Sequence, residues 1–306
     1  MSRARRHGRA IHGWLCLDKP EGMTSTDAVG RVRRITGAAK VGHGGTLDPL
    51  ATGVLPIALG EATKTVAYVM DGDKHYRFSA RLGEARSTDD REGEILETSP
   101  LRPDDAAIAA ALAGFLGVIE QVPPCFAAVK VAGERAYDIA RRGETVELGA
   151  RPVRVHRLEL VERPDPDHAL FELECGRGTY VRALVRDLGR KLGCLGHVSA
   201  LRRLRVGPFR ADAAISLATL GQLVEDDALP QALVPVGMAL EGMPALALTG
   251  PQAERLRSGQ TIRVAPHLLV GEAGEEATVR AMTAGQVVAL ARLQGSELSP
   301  LRVFNL

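Results

Sequence analysis

The sequence predicts an α+β protein with a large domain over residues 1–239 and a small β-rich domain over residues 240–306. With 306 residues the chain is longer than one hydrophobic core usually supports. Segment 75–82 alternates apolar and polar side chains with a period of two, which is typical of a half-buried strand. Segment 28–35 repeats its apolar residues with helical spacing, so both kinds of element are expected.

The composition argues against several classes of protein. A hydrophobic content of 45% and a charged content of 25% are ordinary for a globular protein, and the net charge is only +2. No apolar run approaches the roughly 18 residues of a membrane helix, and the basic N-terminus lacks the apolar core of a secretion signal. The four cysteines stand too far apart for a metal-binding pair, which predicts reduced thiols, no metal site and a cytoplasmic location.

The first elements are expected to lead into one loop. Residues 1–10 form a basic tail, expected to be mobile, that is either solvated or in contact with phosphate. Residues 11–17 have the pattern of a short buried strand, and a turn through residues 18–22 follows. Capping residues at 24–27 begin a helix, which Gly37 ends.

The later elements follow from the same patterns. We expect, in order, a short apolar strand over 54–59, a helix over 61–68, a strand over 75–82, a polar hairpin-like segment over 83–93, an alanine-rich helix over 104–115, a helix over 133–142, strands over 153–161 and 170–175, and a helix ending at Leu192. From Leu240 the chain is neutral, with six glutamates and six arginines, and strands are expected over 278–282 and 286–293.

The loop over residues 42–53 contains the first candidate for chemistry. Glycines open it, His43 lies among them, and Pro49 biases Asp48 away from helical backbone angles. The Asp48 carboxylate is therefore presented from an extended or turn-like segment, either as a reactive group or as part of an ordinary surface turn. Nine basic residues face four acidic ones within residues 1–60, so positive charge gathers around this loop.

A second candidate is an arginine at the start of a helix. The strand over 170–175 ends in glycines and passes into the helix that contains Arg182. Exposed amide groups at a helix start favour an anion. Arg182 can pair with a carboxylate, bind phosphate, or remain an ordinary surface arginine.

Together these residues resemble the bacterial TruB family of tRNA pseudouridine synthases. Its signature is matched by Gly42-His43 with the run from Leu47 to Pro56, and further matches follow in the family's order along nearly the whole chain. These are Asp18-Lys19-Pro20, Gly22, Thr24-Ser25, Tyr76-Arg77, Thr88, Asp90, Pro123-Pro124, Lys130, Gly133, Tyr137, Ala140-Arg141, Gly178 to Arg182 and Leu201 to Leu204. Residues 256–260 and 298–304 are similar to a PUA RNA-binding domain. Two departures, Gly44 for the usual threonine and Ala127 for a common serine, change no charged group.

The resemblance implies a fold and a reaction. The fold is a pseudouridine synthase catalytic domain, with a mixed, mainly antiparallel sheet flanked by helices, and a PUA-like C-terminal domain. The reaction converts uridine to pseudouridine at position 55 in the T-loop of tRNA, without cofactor or metal. The target base is flipped out of the folded RNA to be reached. A monomer without a protein partner or membrane association is expected.

The resemblance also implies roles for individual residues. Asp48 is the nucleophile, attacking either the ribose or the uracil ring, and Arg182 is its electrostatic partner. Tyr76 stacks on the target base and assists proton transfer at C5. His43 fills the space that the base vacates, or is a structural histidine of the loop. The remaining expected substrate contacts are Tyr180 and Leu201 in the pocket wall, Asp90 beside the pocket, and Lys19, Arg141 and Arg202 on phosphates.

Three other functions compete with this interpretation. A non-catalytic RNA-binding protein needs the basic surface and the PUA-like domain but not Asp48. A guide-RNA-dependent relative of the same fold takes its specificity from partner proteins. A glycosidase-like hydrolase requires paired carboxylates, whereas the sequence presents one prominently.

Overall fold

The computed structural model describes residues 8–127, 130–131, 134–135, 142, 148–265, 269–270 and 276–306. The α-helices described are α1 Ser25–Thr36, α2 Val66–Asp71, α3 Asp105–Leu112, α4 Val181–Lys191, α5 Leu217–Glu225 and α6 Gly250–Arg257. The strands described up to residue 135 are β1 Gly13–Lys19, β2 Val41–His43, β3 Thr52–Leu59, β4 Lys74–Leu82, β5 Glu84–Arg86, β6 Ile95–Thr98, β7 Gly117–Gln121, β8 Lys130–Val131 and β9 Glu134–Arg135. Those that follow are β10 Arg151–Asp165, β11 His168–Cys175, β12 Gly196–Val206, β13 Phe209–Arg210, β14 Leu233–Val234, β15 Ala245–Ala247, β16 Ile262–Arg263, β17 Leu269–Val270, β18 Glu276–Thr283, β19 Gln286–Gln294 and β20 Glu297–Val303.

A ten-stranded sheet organises the larger part of the molecule. Its strand order is β14-β1-β3-β12-β4-β11-β10-β7, with β2 paired to β3 and β13 to β12. The pairing of β12 with β3 is parallel and the other pairings are antiparallel. The expected mixed, mainly antiparallel sheet is therefore confirmed. Because β12 lies between β3 and β4, residues at the ends of these three strands lie close to one another.

The clearest sequence patterns gave the right elements. Strand β4 alternates buried and more exposed residues along its length, as its period of two predicts. The long hairpin of β10 and β11 confirms the two strands predicted over 153–161 and 170–175. Helix α1 begins at Thr24, whose side chain accepts a hydrogen bond from the Asp27 amide, and ends at Gly37 in the left-handed conformation with φ 68°.

Two predictions need correction. The helix expected over 61–68 is a 3-10 helix over Gly60–Thr65 followed by the short helix α2. In the segment expected as a helix over 133–142, residues 134–135 form strand β9, and the others apart from residue 142 lie outside the described residues. In the basic tail, residues 1–7 also lie outside them, but Arg9 is held, because its amide donates to the Gly37 carbonyl.

The C-terminal part forms a separate, curled six-stranded sheet. Its order is β16-β20-β19-β18-β15-β17, and the hairpin of β18 and β19 confirms the two strands predicted there. Helix α6 packs on this sheet through Ala253 and Leu256. The predicted domain boundary at 239/240 lies between β14 and β15, inside the 3-10 helix Val236–Leu240, and it stays a prediction.

Apolar side chains connect the two sheets. We call this set the joint cluster; it contains Trp14, Cys16, Val54, Ala58, Ala62, Val69, Val206, Phe209, Val236, Leu240, Val287, Leu290 and Phe304. Members from β1 and β3 thus pack with members from β19 and the C-terminal segment. Among the helices that the structure describes, none is long and apolar enough to cross a membrane.

Candidate active site

Asp48 lies in the loop between β2 and β3. Residues 46–48 are neither helical nor in a strand, and the Ala51 amide donates to the Asp48 carbonyl at 3.1 Å. Asp48 is therefore presented from an irregular segment that leads into a turn, in agreement with the turn-like segment expected before Pro49. The side chain of Asp48 is 32% exposed, so the carboxylate is held by protein but remains open to another molecule.

The backbone on both sides of Asp48 is fixed by buried side chains. The Ser25 hydroxyl, at the start of α1, accepts from the Leu47 amide at 2.8 Å and donates to the Leu47 carbonyl at 3.0 Å. The Lys19 ammonium, at the end of β1, donates to the carbonyls of Pro20, Met23 and Pro49. These hydrogen bonds hold the backbone of the loop in place on both sides of the carboxylate.

Arg182 and Asp48 form an ion pair. The Arg182 Nε atom lies 2.9 Å from Asp48 Oδ2, and Nη2 donates to Oδ1 at 3.2 Å. Arg182 is the second residue of α4 and is only 4% exposed, so water screens the pair weakly. Of the three possibilities that the sequence left open for Arg182, the structure selects the carboxylate partner.

The other nitrogen of the same guanidinium is tied to the protein. Arg182 Nη1 donates to the Thr88 carbonyl at 3.0 Å and lies 3.6 Å from Asp90 Oδ2, while Nη2 also donates to the Phe126 carbonyl at 2.8 Å. Asp90 is buried, and its Oδ1 accepts from the Thr88 hydroxyl. Asp90 thus lies beside the Asp48–Arg182 pair, as expected of a residue next to the pocket, and its contact with substrate stays a prediction.

Tyr76 lies on β4 with its ring almost fully buried. Burial raises the pKa of the Tyr76 hydroxyl, an effect opposed by the positive charge of Arg203. The charge of Asp48 adds a smaller effect in the same direction as burial, raising this pKa. Tyr76 is thus a neutral phenol at neutral pH.

Tyr180 lies near the Asp48 carboxylate, and Leu201 lies on β12, which pairs with the strand that contains Tyr76. Burial, followed by the charge of Asp48, raises the pKa of the Tyr180 hydroxyl. The Tyr180 backbone is gripped by the buried Gln121 side chain, which accepts from its amide at 2.8 Å and donates to its carbonyl at 3.1 Å. Leu201 is buried and its main chain pairs with Phe78 of β4. A cleft of about 210 Å³ adjoins Leu201 but is lined by neither Asp48 nor Tyr76.

His43 is half-buried at the end of β2, before the loop. Its Nδ1 accepts a hydrogen bond from the Gly45 amide at 3.4 Å. A structural histidine is expected to make such a contact within its own loop. That the ring fills the space of a flipped base stays a prediction.

Among the three basic residues expected on phosphates, one is corrected. Lys19 is fully buried and its ammonium group donates to three carbonyls, so it is not available to phosphate. Burial lowers the pKa of Lys19 to about 8. Arg202 is 40% exposed and pairs with Asp18 through two hydrogen bonds of 2.9 and 3.0 Å, so its phosphate contact stays a prediction. Arg141 lies outside the described residues.

Sequence reasoning missed three residues that build the site. Ser25, Gln121 and Arg203 each bind backbone groups of the site residues or of their loop, and each is buried. Ser25 stands in a capping segment, and Arg203 is one of three arginines within residues 202–205, so local patterns assigned both to other tasks. Because their partners lie far away along the chain, only the fold shows these contacts.

The described residues contain no cluster of three or more His, Cys, Asp or Glu side chains that could hold a metal ion. Each of the four cysteines is a free thiol. Cys16, Cys175 and Cys194 are buried, and Cys125 is exposed.

Similar folds occur among solved structures. The chain matches a chain of the archaeal box H/ACA sRNP Nop10–Cbf5 complex with a TM-score of 0.75 and 25% identity, over 96% of this chain and 86% of that one. A chain of a Cbf5–Nop10–Gar1 complex matches with a TM-score of 0.75 and 27% identity, over 96% and 85% of the two chains. The fold is thus that of Cbf5-type proteins, with a catalytic sheet and a β-rich C-terminal domain.

Family models and curated relatives are more specific. The model of the TruB family pseudouridylate synthase N-terminal domain matches residues 33–181, and that of the tRNA pseudouridylate synthase B C-terminal domain matches residues 182–241. The tRNA pseudouridine synthase B of Rhodospirillum rubrum is 53% identical over 309 residues, covering both chains completely. That of Bradyrhizobium diazoefficiens is 53% identical over all of this chain and 89% of its own length. The chain belongs to the TruB family of pseudouridylate synthases.

Proposed function

We propose that this chain isomerises uridine to pseudouridine at position 55 in the T-loop of tRNA, with Asp48 as the nucleophile. Membership of the TruB family supports the reaction and the tRNA substrate. The observation that supports the residue assignment is the Arg182–Asp48 ion pair, in which the carboxylate keeps 32% exposure. A cation at this distance favours the ionised, nucleophilic form of a carboxylate.

The reaction breaks the N1–C1′ bond of uridine, turns the uracil, and joins C5 to C1′. A proton leaves C5 and one is gained at N1, so the product is an isomer of the substrate. The Asp48 carboxylate forms a transient covalent bond either to the ribose or to the uracil ring and is released at the end. Arg182 stabilises the carboxylate as it is released.

Tyr76 forms part of the pocket wall for the flipped base. Because its pKa is raised by burial, it acts at neutral pH as a stacking and hydrogen-bonding group and not as a preformed phenolate. If Tyr76 assists proton transfer at C5, its hydroxyl oxygen accepts the proton that leaves C5 while the hydroxyl donates its own proton. Tyr180 and Leu201 complete the wall, and His43 occupies the space that the base leaves in the RNA.

The test uses a tRNA T-arm stem-loop and the purified protein. Wild-type protein converts its single target uridine, whereas Asp48→Asn forms no detectable pseudouridine and binds the stem-loop with a similar Kd. Asp212→Asn changes an exposed aspartate of similar chemistry and retains activity. Arg182→Lys slows turnover more than it weakens binding, because a lysine cannot reproduce the two-pronged contact. Undiminished product with Asp48→Asn would sink the assignment.

A second candidate is supported by the likeness to Cbf5, which was solved in complexes with Nop10 and Gar1. A guide-RNA-dependent enzyme would leave an isolated T-arm unmodified unless guide and partners were added. We propose the independent mode, because the curated relatives that match the full chain are tRNA pseudouridine synthases B. Conversion of the T-arm by the protein alone decides between the two.

We also propose that the protein works as a cytoplasmic monomer without a protein partner. An exposed free thiol at Cys125 suits a reducing compartment. Light scattering during size-exclusion chromatography, with and without the T-arm, measures the oligomeric state. A dimer with substrate bound would contradict this part of the proposal.

A further inference from the structure

Arg203 is a buried cation that reaches both ends of the Asp48 loop. It lies on β12 and is 1% exposed. Its Nη2 donates to the Gly45 carbonyl at 3.0 Å, Nη1 to the Thr46 carbonyl at 3.1 Å, and Nε to the Val54 carbonyl at 2.8 Å. One side chain thus joins the residues before Asp48 to those after it.

The backbone of Arg203 reinforces this connection. Its main chain pairs with Gly53 of β3 on one side and with Tyr76 of β4 on the other. Gly53 has φ 97°, and a Cβ atom there would lie 2.2 Å from the Arg203 carbonyl oxygen. The loop exit therefore approaches Arg203 as closely as only glycine permits. Arg203 consequently lies where the loop exit and the strand of Tyr76 meet.

The partners of Arg203 suit positioning better than charge neutralisation. Among the described residues, no carboxylate lies within 4.0 Å of its guanidinium nitrogens. Burial of a guanidinium without a carboxylate partner is costly unless it is hydrogen-bonded, and here each of its three nitrogens donates to a backbone carbonyl. The planar fork donates in three directions at fixed angles, which a lysine cannot reproduce.

We infer that Arg203 is a positioning residue for the isomerisation, which fixes the segment from Gly45 to Val54 so that Asp48 keeps its ion pair with Arg182. The expected effect on the reaction rate rests on the proposed function. Its structural consequence, a rigid loop, holds in the free protein. Arg203 touches neither Asp48 nor substrate and acts through the backbone of the loop.

The test compares Arg203→Lys and Arg203→Met with Arg163→Lys. Arg163 is a matched control, because it is also a mostly buried arginine that donates to backbone carbonyls, those of Pro103 and Pro166. It lies on β10, far from the Asp48 loop. We expect the Arg203 variants to lose roughly tenfold to a hundredfold in the single-turnover rate, since a displacement of about 1 Å at a reacting group has that effect. The Kd for the T-arm stem-loop changes less than threefold.

Hydrogen exchange read by mass spectrometry reports on the loop itself. In Arg203→Lys, peptides covering residues 44–54 exchange faster than in the wild type, and peptides covering residues 153–175 are unchanged. In Arg163→Lys the rate and the loop exchange both remain those of the wild type. A folded Arg203→Lys protein with the wild-type rate and wild-type loop exchange would overturn the inference.

Other outcomes would also contradict the inference. Parallel losses of rate and T-arm affinity, or exchange that rises across the whole protein, would make Arg203 a general structural residue. Failure of both Arg203 variants to fold would likewise assign Arg203 to the stability of the whole domain. If the wild type forms no pseudouridine, the proposed function fails, whereas the exchange of residues 44–54 still tests the positioning of the loop.

Discussion

At the scale of single residues, the site depends on cations that do not face solvent. Arg182 holds the Asp48 carboxylate, while Lys19 and Arg203 hold the carbonyls of its loop. A basic residue near a candidate nucleophile is readily assigned to RNA phosphate. Here burial decides the role, because a buried ammonium or guanidinium whose nitrogens already donate to carbonyls does not face RNA phosphate.

The buried Lys19 predicts a dependence of stability on pH. Its folded-state pKa is about 8 against an ordinary value of 10.5, so between these pH values the unfolded chain binds more protons than the folded one. Stability therefore rises with pH across this window, and the penalty is complete below pH 8. From pH 7.5 to 9.5 the free energy of unfolding should rise by about 2 kcal/mol more in the wild type than in Lys19→Met.

Urea unfolding at the two pH values measures this difference. Lys40→Met is the control, because it removes an exposed lysine and should follow the wild-type profile. Parallel profiles of the wild type and Lys19→Met would show that Lys19 is not a buried ammonium at neutral pH.

The close packing around Gly44 predicts a steric coupling. A Cβ atom at this position would lie 2.7 Å from Val69 Cγ1 and 3.3 Å from Pro56 Cβ and Trp14 Cζ3. Gly44→Ala should lower the free energy of unfolding by about 1–3 kcal/mol through overpacking. The same change should cost clearly less in a Val69→Ala background, because the nearest atom is then gone.

A double-mutant cycle by urea unfolding measures the coupling at position 44. Gly42→Ala is the control in the same loop, since nothing lies within 4 Å of its would-be Cβ. Additive effects of Gly44→Ala and Val69→Ala would contradict the prediction.

Residue patterns predicted the central residues of the site, but not the buried side chains that hold its backbone in place. Asp48 followed by proline, and Arg182 at a helix start, carry local signals that the structure brings together. Ser25 and Gln121 carry none, because each binds backbone of a segment that is distant in sequence. The prediction that Lys19 contacts phosphate is wrong for a related reason, since the fold buries this side chain and the sequence pattern does not show burial.

At the scale of elements, α1 positions the Asp48 loop through its first residue, Ser25. Ser25→Ala leaves the Leu47 amide and carbonyl without their partner inside the protein, which should cost about 1–3 kcal/mol. The turnover rate on the T-arm should fall as well, because Leu47 adjoins Asp48. Thr24→Ala is the matched control. It removes the helix cap at a cost of about 1 kcal/mol and should leave the rate unchanged.

Thermal unfolding and single-turnover kinetics check the Ser25 prediction together. A Ser25→Ala protein that loses stability but keeps the wild-type rate would show that the loop finds its position without α1.

The elements also show where sequence patterns stop. Alternation identified β4, and capping residues identified α1, because both signals are local. The placement of β12 between β3 and β4 pairs residues about 150 and 120 positions apart, and no local pattern reports such partners. The helix predicted over 61–68 begins as the 3-10 helix Gly60–Thr65, because the residue pattern does not distinguish 3-10 from α-helical turns.

At the scale of the whole molecule, the joint cluster fastens the C-terminal sheet to the catalytic sheet. The joint cluster supplies apolar contact, and two polar contacts add to it. Lys64 donates to the Val303 carbonyl at 2.8 Å, and the Asn305 amide donates to Glu61 at 2.8 Å. Because β1 and β3 contribute to this cluster and also lead to Lys19 and the Asp48 loop, the two sheets should unfold together.

Phe304 provides the test of this coupling. It is buried in the joint cluster with Trp14, the single tryptophan of the chain, so tryptophan fluorescence reports on the contact between the sheets. Phe304→Ala should lower the free energy of unfolding by about 3–5 kcal/mol, whereas Leu306→Ala, at an exposed side chain, should change it little. In the wild type, urea transitions followed by fluorescence and by far-ultraviolet circular dichroism should coincide. Loss of the fluorescence signal ahead of the dichroism signal would show instead that the C-terminal sheet detaches while the catalytic sheet stays folded.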